Sequence, residues 1–352
     1  MHRSRTAPGL SPPSTSLHCG ERLPSKVASV VLSVLGGYGA AVQSPERGAA
    51  QVPNFSSKRM APPPLNSGVR PQGGNVSATA IATAFRAAAI FSVDGEVELF
   101  RKLAKAIEHG SQSVFVEETH GAVKYNVEFN LTTGISTRCE IADLLIISRS
   151  DSWPFYRATF WQAKKQPKTK WVALGTADRH VDFKGQFNQW DLLSRRPTIT
   201  GVPPFAPPGD LLSSFSSGSI GSFGVFYERA SKIELVHSVA EFISCGSPKA
   251  KHPIMVANAH IEQYFYNGQE ILVRTELKTF LDALLDHQVG APLDLSSPTH
   301  RWLLTYARTK IVAAHGRAFD RFFDAIDDVG TIDMPRGKDG LSVLLVDTRE
   351  AA

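Results

Sequence analysis

Asp143 interrupts an apolar run of strand length, Cys139-Glu140-Ile141-Ala142-Asp143-Leu144-Leu145-Ile146-Ile147. An isolated carboxylate in such surroundings is strongly disfavoured unless something compensates it. Nineteen residues further on, a second apolar segment ends Phe160-Trp161-Gln162-Ala163-Lys164-Lys165. Gln162 and Lys164 alternate with apolar neighbours, so a strand points both to one face. If the two segments are neighbouring strands, Asp143, Gln162 and Lys164 meet. An acid, a second oxygen ligand and a lysine are the parts of a Mg²⁺- or Mn²⁺-dependent site that cleaves phosphodiesters.

Several elements must position these groups. Ser92 or Asp94 is expected to cap a helix running to about His109, ended by Gly110. Its apolar stripe is Val97, Phe100, Leu103, Ala104 and Ile107. Helical spacing puts Glu96 inside that stripe and Glu98 on the opposite side. Strands are expected at 113–118, 123–130, 140–148 and 157–164. A helix over about 183–194 carries Phe187, Trp190 and Leu193, and Pro197 follows it. Beyond a Pro/Ser/Gly loop at 201–219 come strands Ser222–Tyr227 and Ile254–Ala257. Two amphipathic helices, about 274–287 and 298–314, follow. A helical turn over Ala318–Phe323 and a last apolar strand, Leu341–Val346, complete the chain. The glycine-rich stretch Gly218–Gly224 precedes a strand instead of joining a strand to a helix, so it does not read as a phosphate-binding loop.

Charge is unevenly placed. Residues 1–75 hold eight Lys/Arg and two Asp/Glu, while the other 277 residues hold 30 and 31. Within that neutral body, residues 157–200 hold nine Lys/Arg against three acids. A local basic excess beside the candidate site suits a polyanionic partner. Cys19, Cys139 and Cys245 form no CxxC pair or disulfide framework, which points to a reducing cytoplasm. The eleven histidines show no zinc spacing. Val27–Val42 is short and broken by Gly36-Gly37-Tyr38-Gly39, so no membrane span is expected. Ten of the 22 prolines fall in residues 1–75. Residues 1–76 therefore read as a disordered tail, with Met60 as an alternative start. Residues 77–235 read as an α/β core. Residues 236–352 read as an α-rich region packed on that core or continuing it.

The stretch 92–195 resembles the PD-(D/E)xK nuclease superfamily, in the QxK variant of Mrr-type restriction endonucleases. A helix carrying Glu, a strand with the metal-binding Asp, a strand ending in the third motif and a following helix match its order. The resemblance implies a restriction endonuclease-like fold, a mixed sheet flanked by helices. It implies Asp143 as the metal-binding acid, Gln162 in the Glu/Gln position, Lys164 as the catalytic lysine, and Glu96 or Glu98 as the helix acid. Ala142 stands where the motif's proline would be, and Gln162 is a neutral, weaker ligand than Glu. The implied activity is Mg²⁺- or Mn²⁺-dependent hydrolysis of DNA, with Lys165, Lys168, Lys170, Arg195 and Arg196 on backbone phosphates.

Each residue also has a plainer reading. Asp143 can be a buried acid held by backbone amides. Gln162 can pair with a loop backbone, and Lys164 can snorkel to solvent. Glu140 reads as a surface acid at a strand start, and Cys139 as a small core residue. The rival functions are an inert nuclease-like fold that binds nucleic acid and a protein-interaction module. Homodimerisation is left open.

Overall fold

Helices form where the apolar spacing is 3.6 residues, and the strands at the centre are apolar on both faces. The computed structural model describes residues 77–117, 125–166, 173–174, 178–179, 181–229, 231–246, 252–257, 263–266, 269–272, 274–326 and 341–349. The chain divides into units Met1–Val69 and Arg70–Ala352, and every described residue belongs to the second. The expected tail therefore lies outside the described residues.

The chain opens with α1 (Ala78–Ala88) and α2 (Glu96–Gly110), then strands β1 (Ser113–Val116), β2 (Asn126–Asn130), β3 (Ser136–Glu140), β4 (Leu144–Arg149) and β5 (Tyr156–Lys165). Next come the short β6 (Ala173–Leu174) and β7 (Asp178–Arg179), then β8 (Val181–Lys184), α3 (Phe187–Arg195) and β9 (Thr200–Gly201). β10 (Gly221–Arg229), β11 (Lys232–Val239), β12 (Ile243–Cys245), β13 (Ile254–Ala257), β14 (Gln263–Tyr266), β15 (Gln269–Leu272) and β16 (Arg274–Glu276) follow. The last elements are α4 (Leu277–Leu285), β17 (Ala291–Pro292), α5 (Pro298–His315) and β18 (Ser342–Asp347).

The central sheet runs β1-β18-β4-β5-β10-β11-β16, with β17 pairing the first part of β5. It is mixed: β18 is parallel to β4 and β10 to β5, while the other neighbours are antiparallel. α1, α2 and α4 supply Ile81, Phe85, Phe100, Leu103, Phe280 and Leu281 to one core. The other core draws on Leu192 and Leu193 of α3, Leu303 and Leu304 of α5, and Val127 and Phe129 of β2. A strand buried on both faces favours apolar residues at every position, as Leu144–Ile147 of β4 shows, while β5 is buried along the same length yet carries Arg157, Thr159, Gln162 and Lys164.

Several boundaries moved. The expected strand 140–148 is two, β3 and β4, with a bend over Ile141–Asp143. Residues 183 and 184 belong to a strand, and α3 begins at Phe187. α2 is capped by neither Ser92 nor Asp94. Its N-cap is Gly95, and Asp94 Oδ2 instead accepts from Ile90 N at 2.6 Å and Lys102 Nζ at 2.7 Å. The division at 235/236 falls inside β11, and β18 sits between β1 and β4. The region after 235 is thus a mixed continuation of the core, not a mostly helical addition. No helix among the described residues is long and apolar enough to cross a membrane.

Candidate functional site

β4 and β5 pair antiparallel with Leu144 opposite Trp161 and Leu145 opposite Phe160. One step back along this register sets Asp143 beside Gln162. Asp143 N donates to Trp161 O at 3.2 Å. Ala163 N donates to Asp143 Oδ2 at 2.7 Å, and Gln162 Nε2 donates to the same oxygen. Lys164 lies two residues along the same face, with its Nζ 3.7 Å from Glu96 Oε1 of α2. The structure therefore brings together Asp143, Gln162, Lys164 and Glu96.

All three strand residues are buried. Burial pushes the Asp143 carboxyl up to about 7, against the pull of the Lys164 charge and the Ala163 amide. Glu140 and Glu96 push the same way as burial, because like charges nearby oppose a further ionisation. The Gln162 oxygen, Oε1, is buried without a hydrogen-bond partner. A buried polar atom of this kind marks a place where a further ligand would be welcome.

Glu98 is not part of this group. It faces the cations of its own helix, 3.9 Å from Arg101 and 3.8 Å from Lys102. Glu96 is the nearer acid, as its angular position implied. It is 44% exposed rather than enclosed by the stripe, because it stands in the helix's first turn. Glu140, which reads in the sequence as a surface acid at a strand start, stands near the lysine instead. It closes β3 and is partly buried, and burial raises its pKa while the Lys164 charge lowers it. The bend at 141–143, hidden inside one apparent strand, returns Glu140 toward the lysine.

The expected phosphate contacts fare differently. Lys165 Nζ donates to Phe91 O at 2.5 Å and Asp94 O at 2.7 Å, and lies 4.6 Å from the Phe91 ring centre. Arg195 Nη2 donates to buried Asp191 Oδ2 at 2.8 Å and also to Asn130 O. Arg196 Nη1 donates to Phe215 O at 2.8 Å. Each of these three cations thus has partners within the chain. Lys168 and Lys170 lie outside the described residues. Cys139 packs partly buried against the core, and burial pushes its thiol up to about 12, away from the range of a reactive thiolate.

Asp143 and Gln162 fit a hard cation in donor type, since Mg²⁺ takes oxygen ligands and keeps several waters. Among the described residues no three His, Cys, Asp or Glu side chains converge closely enough to hold a metal ion on their own. The protein's share would be one carboxylate and the orphaned amide oxygen, with Glu96 and Glu140 at the margin. No family model, curated protein or solved structure matches this chain.

Proposed function

We propose that this protein is a metal-dependent endonuclease of DNA, of the PD-(D/E)xK kind and acting in defence or restriction. The observation that carries the reading is the meeting of Asp143, Gln162 and Lys164 on adjacent strands, with Glu96 beside the lysine. The element order around them, acid-bearing α2, Asp143 in the bend that opens β4, β5 with Gln162 and Lys164, then α3, matches the order the resemblance implies. Asp143 and the Gln162 oxygen would hold Mg²⁺ or Mn²⁺. Such an ion polarises a phosphate oxygen and acidifies a bound water. The Lys164 ammonium is placed to orient a water and to offset charge growing on the phosphorus oxygens. Glu96 Oε1 lies 3.7 Å from Lys164 Nζ, an opposite charge that helps hold the lysine at the site.

A second reading, a nuclease-like fold that binds without cutting, draws on Asp143 Oδ2, which already accepts from Ala163 N and Gln162 Nε2. One assay decides between them. Plasmid and linear DNA are incubated with wild type and Lys164→Ala, in Mg²⁺, Mn²⁺ or EDTA. The nuclease reading expects cleavage with metal only, and a loss of about 10²–10³ in rate in Lys164→Ala. Retained binding with no cleavage under any metal transfers the conclusion to the inert binder. Cleavage unchanged in Lys164→Ala removes the site.

A further inference from the structure

A polar cavity of about 350 Å³ opens at the other end of β4 and β5. Ser150, Ser152 and Trp153 wall it from the turn between these strands, Arg157 from β5, and Asp286 and Gln288 from the segment after α4. Arg157 lies five residues from Gln162 on β5, about 16 Å along an extended strand, so the cavity is distinct from the carboxylate cluster.

The turn is braced. Ser150 N donates to Phe155 O at 3.0 Å, and Ser152 N donates to Ser150 Oγ at 3.2 Å. Buried His287 reaches across to it: its Nε2 lies 2.6 Å from Pro154 O, and its Nδ1 lies 2.9 Å from Ser148 Oγ. A carbonyl only accepts, so Nε2 carries the proton and Nδ1 accepts from the serine. On this fixed turn Trp153 stands 66% exposed. An exposed indole on a braced turn offers a flat face on which another ring can stack.

Arg157 is buried, and its Nη1 is anchored on Gly290 O at 3.0 Å. A guanidinium presents five N–H groups in a planar fork that matches phosphate oxygens. Burial lowers its pKa to about 10. Asp286, exposed on the wall, repels a phosphate but accepts from sugar hydroxyls, the role acids play in dinucleotide sites.

We infer that this cavity binds a nucleoside phosphate, with Arg157 and the Ser150 and Ser152 hydroxyls on the phosphate, Asp286 on the ribose and Trp153 against the base. The inference stands apart from the nuclease reading and survives its failure.

Calorimetric titration of the full chain tests it, with adenosine 5′-monophosphate, adenosine, inorganic phosphate and a 5′-phosphorylated single-stranded oligonucleotide as probes. The monophosphate should bind at least tenfold more tightly than adenosine or phosphate alone. Trp153→Ala, a change at an exposed site, should weaken it about tenfold, in line with base-stacking losses. Arg157→Gln should bring the monophosphate down to the level of adenosine. If Arg157→Gln does not fold, Trp153→Ala and Asp286→Asn carry the test. Asp143→Ala should bind like wild type. Displacement of the monophosphate by the oligonucleotide identifies a strand end as the natural ligand, and failure to displace it identifies a free nucleotide. No binding of the monophosphate, or binding indifferent to both Trp153→Ala and the second variant, overturns the inference.

Discussion

Glu96 and Glu98 are two residues apart on one helix, yet their surroundings give them different fates. Glu96 reaches the site lysine, whereas Glu98 is drawn to Arg101 and Lys102. Glu96→Gln should therefore lower metal-dependent cleavage, while Glu98→Gln should leave it at wild-type level, and parallel rate measurements check this. Asp143 makes a second prediction. Its folded pKa of about 7 lies above the ordinary 3.8, so the folded protein holds this proton more tightly than the unfolded chain. That contribution to stability is complete below pH 3.8 and is lost as pH rises through 7. Asp143→Asn removes the ionisation. Without divalent cations the variant should be more stable than wild type at pH 8, by on the order of a few kcal/mol, with the two converging near pH 4. Mg²⁺ should raise the wild-type melting temperature at pH 8 and leave Asp143→Asn unmoved. Equal Mg²⁺ responses in the two proteins would take Asp143 out of the metal site.

At the scale of elements, β5 depends on how closely β10 can approach it. Gly224 is paired with Ala163, and the Trp161 indole lies over its Cα. A Cβ on Gly224 would fall 1.6 Å from Trp161 Cζ2, and the ring is buried with no room to retreat. Gly224→Ala should destabilise the protein by about 1–3 kcal/mol or more, as overpacking does. Denaturant unfolding measures this. Because Gln162 and Lys164 flank Trp161 and Ala163 on the same strand, cleavage should fall in parallel. Helix α3 shows the complementary device: buried Asp191 accepts from Thr132 N at 3.2 Å and from Arg195, tying the helix to the turn after β2. Arg195, a basic residue that reads as a phosphate contact, is also the counter-ion of a buried acid.

At the scale of the molecule, the two ends of the chain differ in what they hold. β18 lies between β1 and β4, pairing Val346 with Ser113 and Ser342 with Leu144. A chain ending at Gly340 detaches β1 from the sheet, turns β4 into an edge strand and removes Val343 and Leu345 from the core. It should show no cooperative unfolding transition. A chain starting at Ser77 keeps every described element, and its melting temperature should stay within a few degrees of the full-length protein. Circular dichroism melts of both forms provide the measurement. A large drop on N-terminal truncation would show that residues before Ser77 contribute to the fold.

Local patterns determined a good deal by themselves. The apolar runs of β4, β5, β13 and β18 and the helical spacing of α2 and α5 depend on neighbours a few residues apart, so their identities were legible. The burial of Asp143 and the shared face of Gln162 and Lys164 were legible for the same reason: alternation along a strand is a local property. Tertiary structure alone decided the rest. The bend that makes Glu140 part of the lysine's surroundings is masked by continuous hydrophobicity. The insertion of β18 beside β4 joins residues about two hundred positions apart, and no local periodicity records such a partner. Whether Lys165, Arg195 and Arg196 face solvent or a carbonyl depends on which loop passes nearby. A cation's sequence neighbours state its charge, but only the packed chain determines which oxygens it can reach.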